Sequence, residues 1–319
     1  MTATTLSTLL GVRDDKVETF PNFGLALRAS EIAMGFIFLT GGWRRFYNVP
    51  AKHDIESVKS LAGKLSQAAP GSPLEDTIHW LLYKPALAEL SVYFMSTAEV
   101  FVGLALIFGF MTRLAGVGSA GLNLAMMLIF GWMGYECLDE YTMSALGFAI
   151  SISVIIFGSS SYSLDNKFGI DPLGQYMTKN LAIGLTAASV LFTVGFYEYY
   201  FGIFNFHKRT SDRVYSIVAE PTGKADVSTL YVNAGGSSTA AYVNSITFTL
   251  DDGSKVKQLP KQIEVLRSHF EPWSQSGIIR DGVLRLRLGS KVDIRIPGGA
   301  VSAKIDLIDN KKDPVVKFK

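Results

Sequence analysis

Residues 98–116 read AEVFVGLALIFGFMTRLAG; the uncharged run Leu114–Tyr135 follows, then YECLDEYTM at 135–143, then a second uncharged run, Tyr141–Tyr162, closed by SLD at 163–165. Each uncharged run is 22 residues long, enough to cross a hydrocarbon core of about 30 Å as a helix rising about 1.5 Å per residue. The connector Glu136–Glu140 is short, so the two runs form an antiparallel hairpin. It gathers two glutamates, an aspartate and the only cysteine of the 319-residue chain. An apolar hairpin with reactive groups at its tip points to chemistry at a membrane.

Three more apolar segments flank the hairpin: Phe23–Trp43, with Arg28 and Glu31 near its start, Leu90–Phe110, interrupted by Glu99, and Leu181–Phe206, with Glu198. All five are expected to span, since a crossing needs about 20 apolar residues. Aromatic residues cluster at their ends, as interfacial anchors do (Trp43, Phe46, Tyr47; Trp132, Tyr135, Tyr141; Tyr197, Tyr199, Tyr200). Small residues at Gly116, Gly118, Gly121, Ser151 and Ser153 allow close helix approach. Between the first two spans, the polar stretch 44–89 is broken at APGSP (69–73) into two short surface helices; the second, DTIHWLLYK (76–84), lies on a membrane or bundle surface.

Composition agrees and adds a division. Mean hydropathy is +0.25 and charged residues are 18%. Residues 1–206 carry a balance of −4 and residues 207–319 one of +6. After Phe206 the pattern turns to alternation, in SITFTL (245–250), VLRLRL (283–288), VDIRI (292–296) and SAKIDL (302–307), with DDG (251–253) and DG (281–282) as turns. Period-two alternation between such turns marks half-buried antiparallel strands, and about seven of them suggest a β-sandwich. The expected organisation is therefore a four-helix membrane bundle over 1–175, a fifth transmembrane helix over 176–206 and an all-β sandwich over 207–319.

Several classes drop out. One cysteine cannot form an intrachain disulfide, an iron–sulfur thiolate set or a CxxCH haem attachment. The four histidines, 53, 79, 207 and 269, are too scattered for an HxxxH metal pair, and no GxGxxG or P-loop follows a strand. No metal, haem or flavin motif is present, and the basic tail lacks the clusters of a nucleic-acid binder. Residues 1–22 hold Arg13, Asp14, Asp15, Lys16 and Glu18 without an apolar core, so no cleavable signal is expected.

Candidate residues follow from topology. With five spans, Arg44 and Arg45, the 136–140 turn and the start of the β region emerge on one side. Adjacent guanidinium forks match oxyanions bidentately; lipid phosphate contact is the alternative. Cys137 is the one soft nucleophile, set among Glu136, Asp139 and Glu140, whose charge disfavours a resting thiolate; a small residue packed in a turn is the alternative. Glu99 lies in mid-span, where an ionisable group is functional by default: it carries a proton or pairs with an arginine of another helix. Arg28 with Glu31 reads as a structural i,i+3 pair, Asn123 as an interhelical hydrogen bonder, and His53 and His79 as loop histidines, solvated unless recruited to a site. Near-membrane Lys and Arg number 6 on the N-terminal side of the membrane and 9 on the other, so the positive-inside rule leans against a cytoplasmic N-terminus.

LRASEIAMGFIFLTGGWRRF (27–46), AEVFVGLALIFGFMTRLAG, the carboxylate-bearing turn and GSSSYSLDNKFG (158–169) together resemble the DoxD/DoxX membrane family over about 23–170. The matching positions are Arg28, Glu99, the G-x-x-T-R of Gly109, Thr112 and Arg113, and Ser163-Leu164-Asp165. A fifth span followed by a β domain resembles DoxA, so the chain looks like a fusion of the two subunits of thiosulfate:quinone oxidoreductase. The resemblance implies a multi-pass plasma-membrane enzyme that oxidises two thiosulfates to tetrathionate and passes electrons to a diffusible membrane quinone. It also implies an extracytoplasmic β domain. Candidate roles are then catalysis by Cys137, Glu99, Asp139 and Glu140, thiosulfate binding by Arg44, Arg45, Arg113 and His79, and quinone contact by Trp43, Trp132, Tyr135 and Tyr141. Two rivals remain, an assembly factor that binds a partner and a carrier of a small anion, and a homo-oligomer is compatible with any of the three.

Overall fold

The computed structural model describes residues 23–131, 139–202, 215–235, 240–308, 310 and 312–318. Helix α1 (Phe23–Trp43) continues through one wide π turn, Arg44–Asn48, and stops before Pro50, since a residue preceding proline is pushed out of the helical region. Two short helices, α2 (Leu61–Ala68) and α3 (Glu75–Leu82), follow on either side of the 69–73 break. Helix α4 (Pro85–Phe108) starts on a proline whose missing N–H costs nothing at that position and ends at Gly109, φ +62°. Then come α5 (Thr112–Phe130), α6 (Asp139–Phe157), the single turn α7 (Leu164–Phe168) and α8 (Lys179–Phe201).

Among the described residues four segments are long and apolar enough to cross a membrane: Gly24–Asn48, Pro85–Phe108, Thr112–Phe130 and Lys179–Tyr200. The fourth expected span differs. Its apolar helix covers only Thr142–Phe157, because Gly158 at φ +74° turns the chain back instead of letting it run on to Tyr162. The expected boundary at 206 lies outside the described residues.

Helix α1 packs along α4, and α5 along α6. The first seam depends on absent side chains: a Cβ on Gly35 would stand 2.7 Å from the Gly103 carbonyl, and one on Gly42 2.7 Å from that of Ser96. Close backbone approach of this kind substitutes for hydrophobic drive in lipid. Helix α8 joins through Phe196, buried with Met127 and Ala145.

The β region forms two antiparallel sheets. One is ordered β1 (Ser216–Pro221), β2 (Val227–Ala234), β8 (Lys291–Arg295), β5 (Val265–Ser268). The other is ordered β10 (Val315–Lys317), β9 (Ala300–Leu307), β3 (Ala240–Leu250), β7 (Val283–Arg287), β6 (Ile278–Arg280), with β4 (Lys255–Gln258) also paired to β3. Asp281 and Gly282, both at positive φ, make the tight β6–β7 turn that favours Asp-Gly. Alternate residues Val243, Phe248, Leu284, Leu286, Ile294 and Ile305 fill the core between the sheets. The architecture is a helical membrane core followed by a β domain.

The β domain rests on the first long loop. Phe270 and Trp273 are buried with Ala62, Leu65 and Ala69 around α2 and with Ile78 and Leu82 of α3. The Trp273 indole donates to the Ile55 carbonyl at 2.8 Å, and the Tyr231 hydroxyl to Glu75 at 2.5 Å. Gly289, at φ +78°, lies against the backbone of Ser66 and Gln67, with no room there for a Cβ. The expectation that DTIHWLLYK lies flat on a surface therefore holds only for its outer face: Trp80 is exposed beneath Lys84, while Ile78 and Leu82 are covered by the β domain.

His79 is in this joint, stacked on Phe270 and edge-on to Tyr231, its Nε2 buried without a hydrogen bond. Burial, then the charge of Lys291, pushes its pKa down, against the pull of Glu75, Glu220 and Asp76. A histidine held neutral when docked but free to charge when undocked favours docking fully above its ordinary pKa of about 6.5 and progressively less below it. The melting temperature of the purified protein should fall between about pH 7.5 and about pH 5, and fall less in His79→Phe; an identical pH dependence in the two proteins would remove His79 from the control of docking.

Candidate functional site

The wide turn after α1 sets the candidate site. Trp43 stays on the outer face, 51% exposed and stacked on Tyr47 at 4.1 Å. Arg45 turns inward and meets Glu99 of α4 as a fork on a carboxylate, Nη1 to Oε2 at 2.6 Å and Nη2 to Oε1 at 3.0 Å. Glu99 is only 6% exposed, so the pair carries its own neutralisation into the bundle. Two charge-assisted bonds in parallel are the geometry that offsets desolvation best. Gly41 and Gly42 clear the way: a Cβ on Gly41 would stand 3.0 Å from Glu99 Oε2.

A second layer holds the pair. Ser96, one turn before Glu99, lies 3.4 Å from Arg45 Nη1 and 2.9 Å from His53 Nε2. The His53 ring is clamped between Tyr93, stacked at 4.4 Å, and Phe46 at 4.6 Å. Burial, then the positive charge of Arg45, lowers its pKa, while a hydrogen bond to the Arg45 backbone raises it. The Ser96 hydroxyl thus stands between the His53 ring and the Arg45 guanidinium, within hydrogen-bond distance of both. His53 supports Arg45 through Ser96.

Beside this pair is a cavity of about 280 Å³, lined by Arg44, Arg45, Lys52, Leu61, Lys64, Gln67, Met95, Met126 and Phe130. Four of its nine lining residues are cationic, and of the four Arg45 alone has a carboxylate partner among the described residues. Burial, and then the charges of Arg44, Lys64 and Arg45, pull the Lys52 pKa down. Same-sign crowding of this kind suits an anion. Helix α2 roofs the cavity with Leu61, Lys64 and Gln67 and packs its opposite side, Ala62, Leu65 and Ala69, toward the β domain.

The other residues of the family pattern meet at the far end of the bundle. Arg28 binds Glu31 at 2.9 Å, the Leu106 carbonyl at 2.8 Å and the Ile107 carbonyl; Ser160 binds Glu31 at 2.7 Å. Asp165 caps α5, accepting from the Met111 and Thr112 amides at 2.7 and 2.6 Å. Arg113 closes α6, donating to the carbonyls of Ile155, Ile156 and Phe157 while pairing with Asp171 at 2.9 Å. Cations at helix C-termini and carboxylates at N-termini satisfy the terminal backbone groups. Arg113 is therefore not beside Arg44 and Arg45, as a thiosulfate ligand would be; its donors are spent on helix ends. His79 is likewise away from the cavity, in the β-domain joint. Asn123 donates to the Ser119 carbonyl at 3.0 Å and approaches Ser151 of α6 at 3.4 Å. Trp132, Tyr135 and Cys137 lie outside the described residues, and Asp139, Glu140 and Tyr141 form the first turn of α6.

Sequence reasoning missed Lys52, Lys64, Gln67, Met95, Met126, Phe130 and the brace of Ser96 with His53. The i,i+3 spacing of Ser96 and Glu99 was a usable signal; the loop lysines gave none, because solvated loop lysines look the same.

Two measurements test this arrangement. Removing one partner of a buried pair costs about 3–5 kcal/mol, so Glu99→Gln should lower the melting temperature in detergent. Adding Arg45→Met should recover much of that loss, and simple additivity of the two changes would show that they do not couple. Separately, an anion binding beside Lys52 favours its charged form. Affinity should therefore decline on raising the pH at a lower value than an ordinary lysine would give, and Lys52→Arg should flatten that decline in an anion titration.

The family model described as "TQO small subunit DoxD" matches residues 23–183, and no solved structure matches the chain. The matched segment runs from the start of α1 into α8 and takes in the Arg45–Glu99 pair, the cavity and the caps at the far end. From residue 23 to residue 183, half of its length, this chain belongs to the DoxD family.

Proposed function

We propose that this protein oxidises thiosulfate at the cavity beside Arg44 and Arg45 and delivers the electrons to a membrane quinone. Membership of the DoxD family supports the reaction class. The observation that carries the site is the set of cations around one small cavity, three of them without a carboxylate partner among the described residues. In this reading Arg44, Lys52 and Lys64 hold the sulfonate oxygens. Glu99 fixes the fork of Arg45 so that one guanidinium edge is spent on the protein and the rest of its charge faces the cavity.

Two thiosulfates yield tetrathionate and two electrons, and a quinone takes those electrons with two protons to become the quinol. Two routes balance. In one, the sulfane sulfur bonds to the quinone, a second thiosulfate attacks that sulfur, and the pair of the broken bond leaves on the quinone. In the other, the Cys137 thiolate and thiosulfate give two electrons to the quinone and form a cysteine thiosulfonate. A second thiosulfate then releases tetrathionate and regenerates the thiolate. Cys137 follows Phe130 of the cavity wall by seven positions in the sequence. Trp43, Trp132, Tyr135 and Tyr141 are the candidate contacts of a lipid-soluble quinone. The β domain takes the place of the DoxA subunit and faces the outside of a plasma membrane.

Purified protein should reduce a soluble quinone analogue only when thiosulfate is present. Arg44→Ala should raise the thiosulfate KM more than about tenfold, roughly 1.4 kcal/mol, with partial rescue in Arg44→Lys, because the fork is lost but the charge kept. Thiosulfate binding without quinone reduction would leave an anion carrier as the better reading. Cys137→Ser separates the routes: loss of tetrathionate supports the cysteine adduct, and full activity ends it.

A further inference from the structure

The cavity has two chemically different halves, and they come from different parts of the chain. The first loop supplies the cations: Arg44 and Arg45 from the π turn, Lys52 from the turn after it, Lys64 from α2. The membrane helices supply two thioethers and a phenyl ring: Met95 from α4, and Met126 and Phe130, one turn apart, from α5. All three are half-buried, and Met95 precedes Ser96 of the brace on the same helix. Charge alone needs only the loop half. A site for any oxyanion gains nothing from a wall without donors.

We propose that Met95, Met126 and Phe130 make the site selective for dianions with one weakly hydrated sulfur end, so that thiosulfate is held and sulfate is rejected. The inference rests on the cavity being the thiosulfate site. Sulfate presents oxygen in every direction. Seated on the cations, it leaves an oxygen against the thioethers and the ring, stripped of water and given no donor, which is costly. Thiosulfate turns its three oxygens to the cations and its terminal sulfur to the wall. That sulfur is large, polarisable and a poor acceptor, and thioether sulfur and aromatic carbon are suited to such contact. The same orientation presents the reacting sulfur toward the membrane helices, on the side from which a lipid-soluble oxidant comes.

The test is equilibrium binding by calorimetry, with thiosulfate and with sulfate, on the full chain in detergent and without quinone, so that no turnover occurs. Wild-type protein should prefer thiosulfate by about tenfold or more. Met126→Gln and Met95→Gln put an amide donor on the wall, and should cut that preference at least about fivefold by gaining sulfate and losing thiosulfate. Met126→Leu keeps an apolar wall and should keep most of the preference. Arg44→Ala should weaken both anions by a similar factor. Equal affinity of the wild type for the two anions, or an unchanged ratio in folded glutamine variants, overturns the proposal; should the glutamine variants fail to fold, the wild-type ratio and Met126→Leu still decide it. Selective binding without quinone reduction would end the oxidation reading and keep the selectivity. Thiosulfate-dependent quinone reduction with an unchanged ratio would do the reverse.

Discussion

A carboxylate and a guanidinium cannot be left alone within an apolar bundle, and that constraint organises this molecule. Glu99 sits in mid-helix, where its charge is tolerable only with a partner. Arg45 reaches it only if α1 continues past Trp43 in a wide turn and only if Gly41 and Gly42 leave the approach open. Once the fork is seated, the rest of the loop has little freedom. Arg44 is held at the cavity by its neighbour, His53 is drawn under the turn, and α2 is brought over the top.

The far end of the bundle solves a related problem with the same residue types. Arg28, Arg113 and Asp165 are spent on the free carbonyls and amides of α4, α6 and α5. Two ends of one bundle therefore use arginine differently. At one end its donors are exhausted by helix termini; at the other, three of the cations at the cavity lack a carboxylate among the described residues. The contrast explains why the G-x-x-T-R and SLD segments are features of the fold, whereas the less distinctive loop carries the candidate chemistry.

Much of this was legible in the sequence. The spans came from charge-free runs, and Glu99 from its cost in mid-span. The β strands came from period-two patterns such as VLRLRL, which fits β7 because its alternate leucines face one core. The misses have physical causes. An uncharged stretch does not reveal where a glycine will turn the chain, so the fourth helix was expected to run on to Tyr162 instead of stopping at Phe157. Arg113 looked like a ligand because one-dimensional spacing does not show which carbonyls lie overhead. His79 looked solvated or site-bound, since its cover, Phe270 and Tyr231, lies more than 150 positions away in the chain.

Helix α2 has eight residues, about 12 Å of rise, and both of its sides are occupied. One side bears on Trp273 and Phe270, the other on the cavity through Lys64 and Gln67. A rod that short does not flex along its length. A shift of the β domain is therefore passed to the backbone that carries Lys64 and Gln67. The position of two cavity-lining residues is in this sense tied to the seating of a domain that contributes none of the described lining residues.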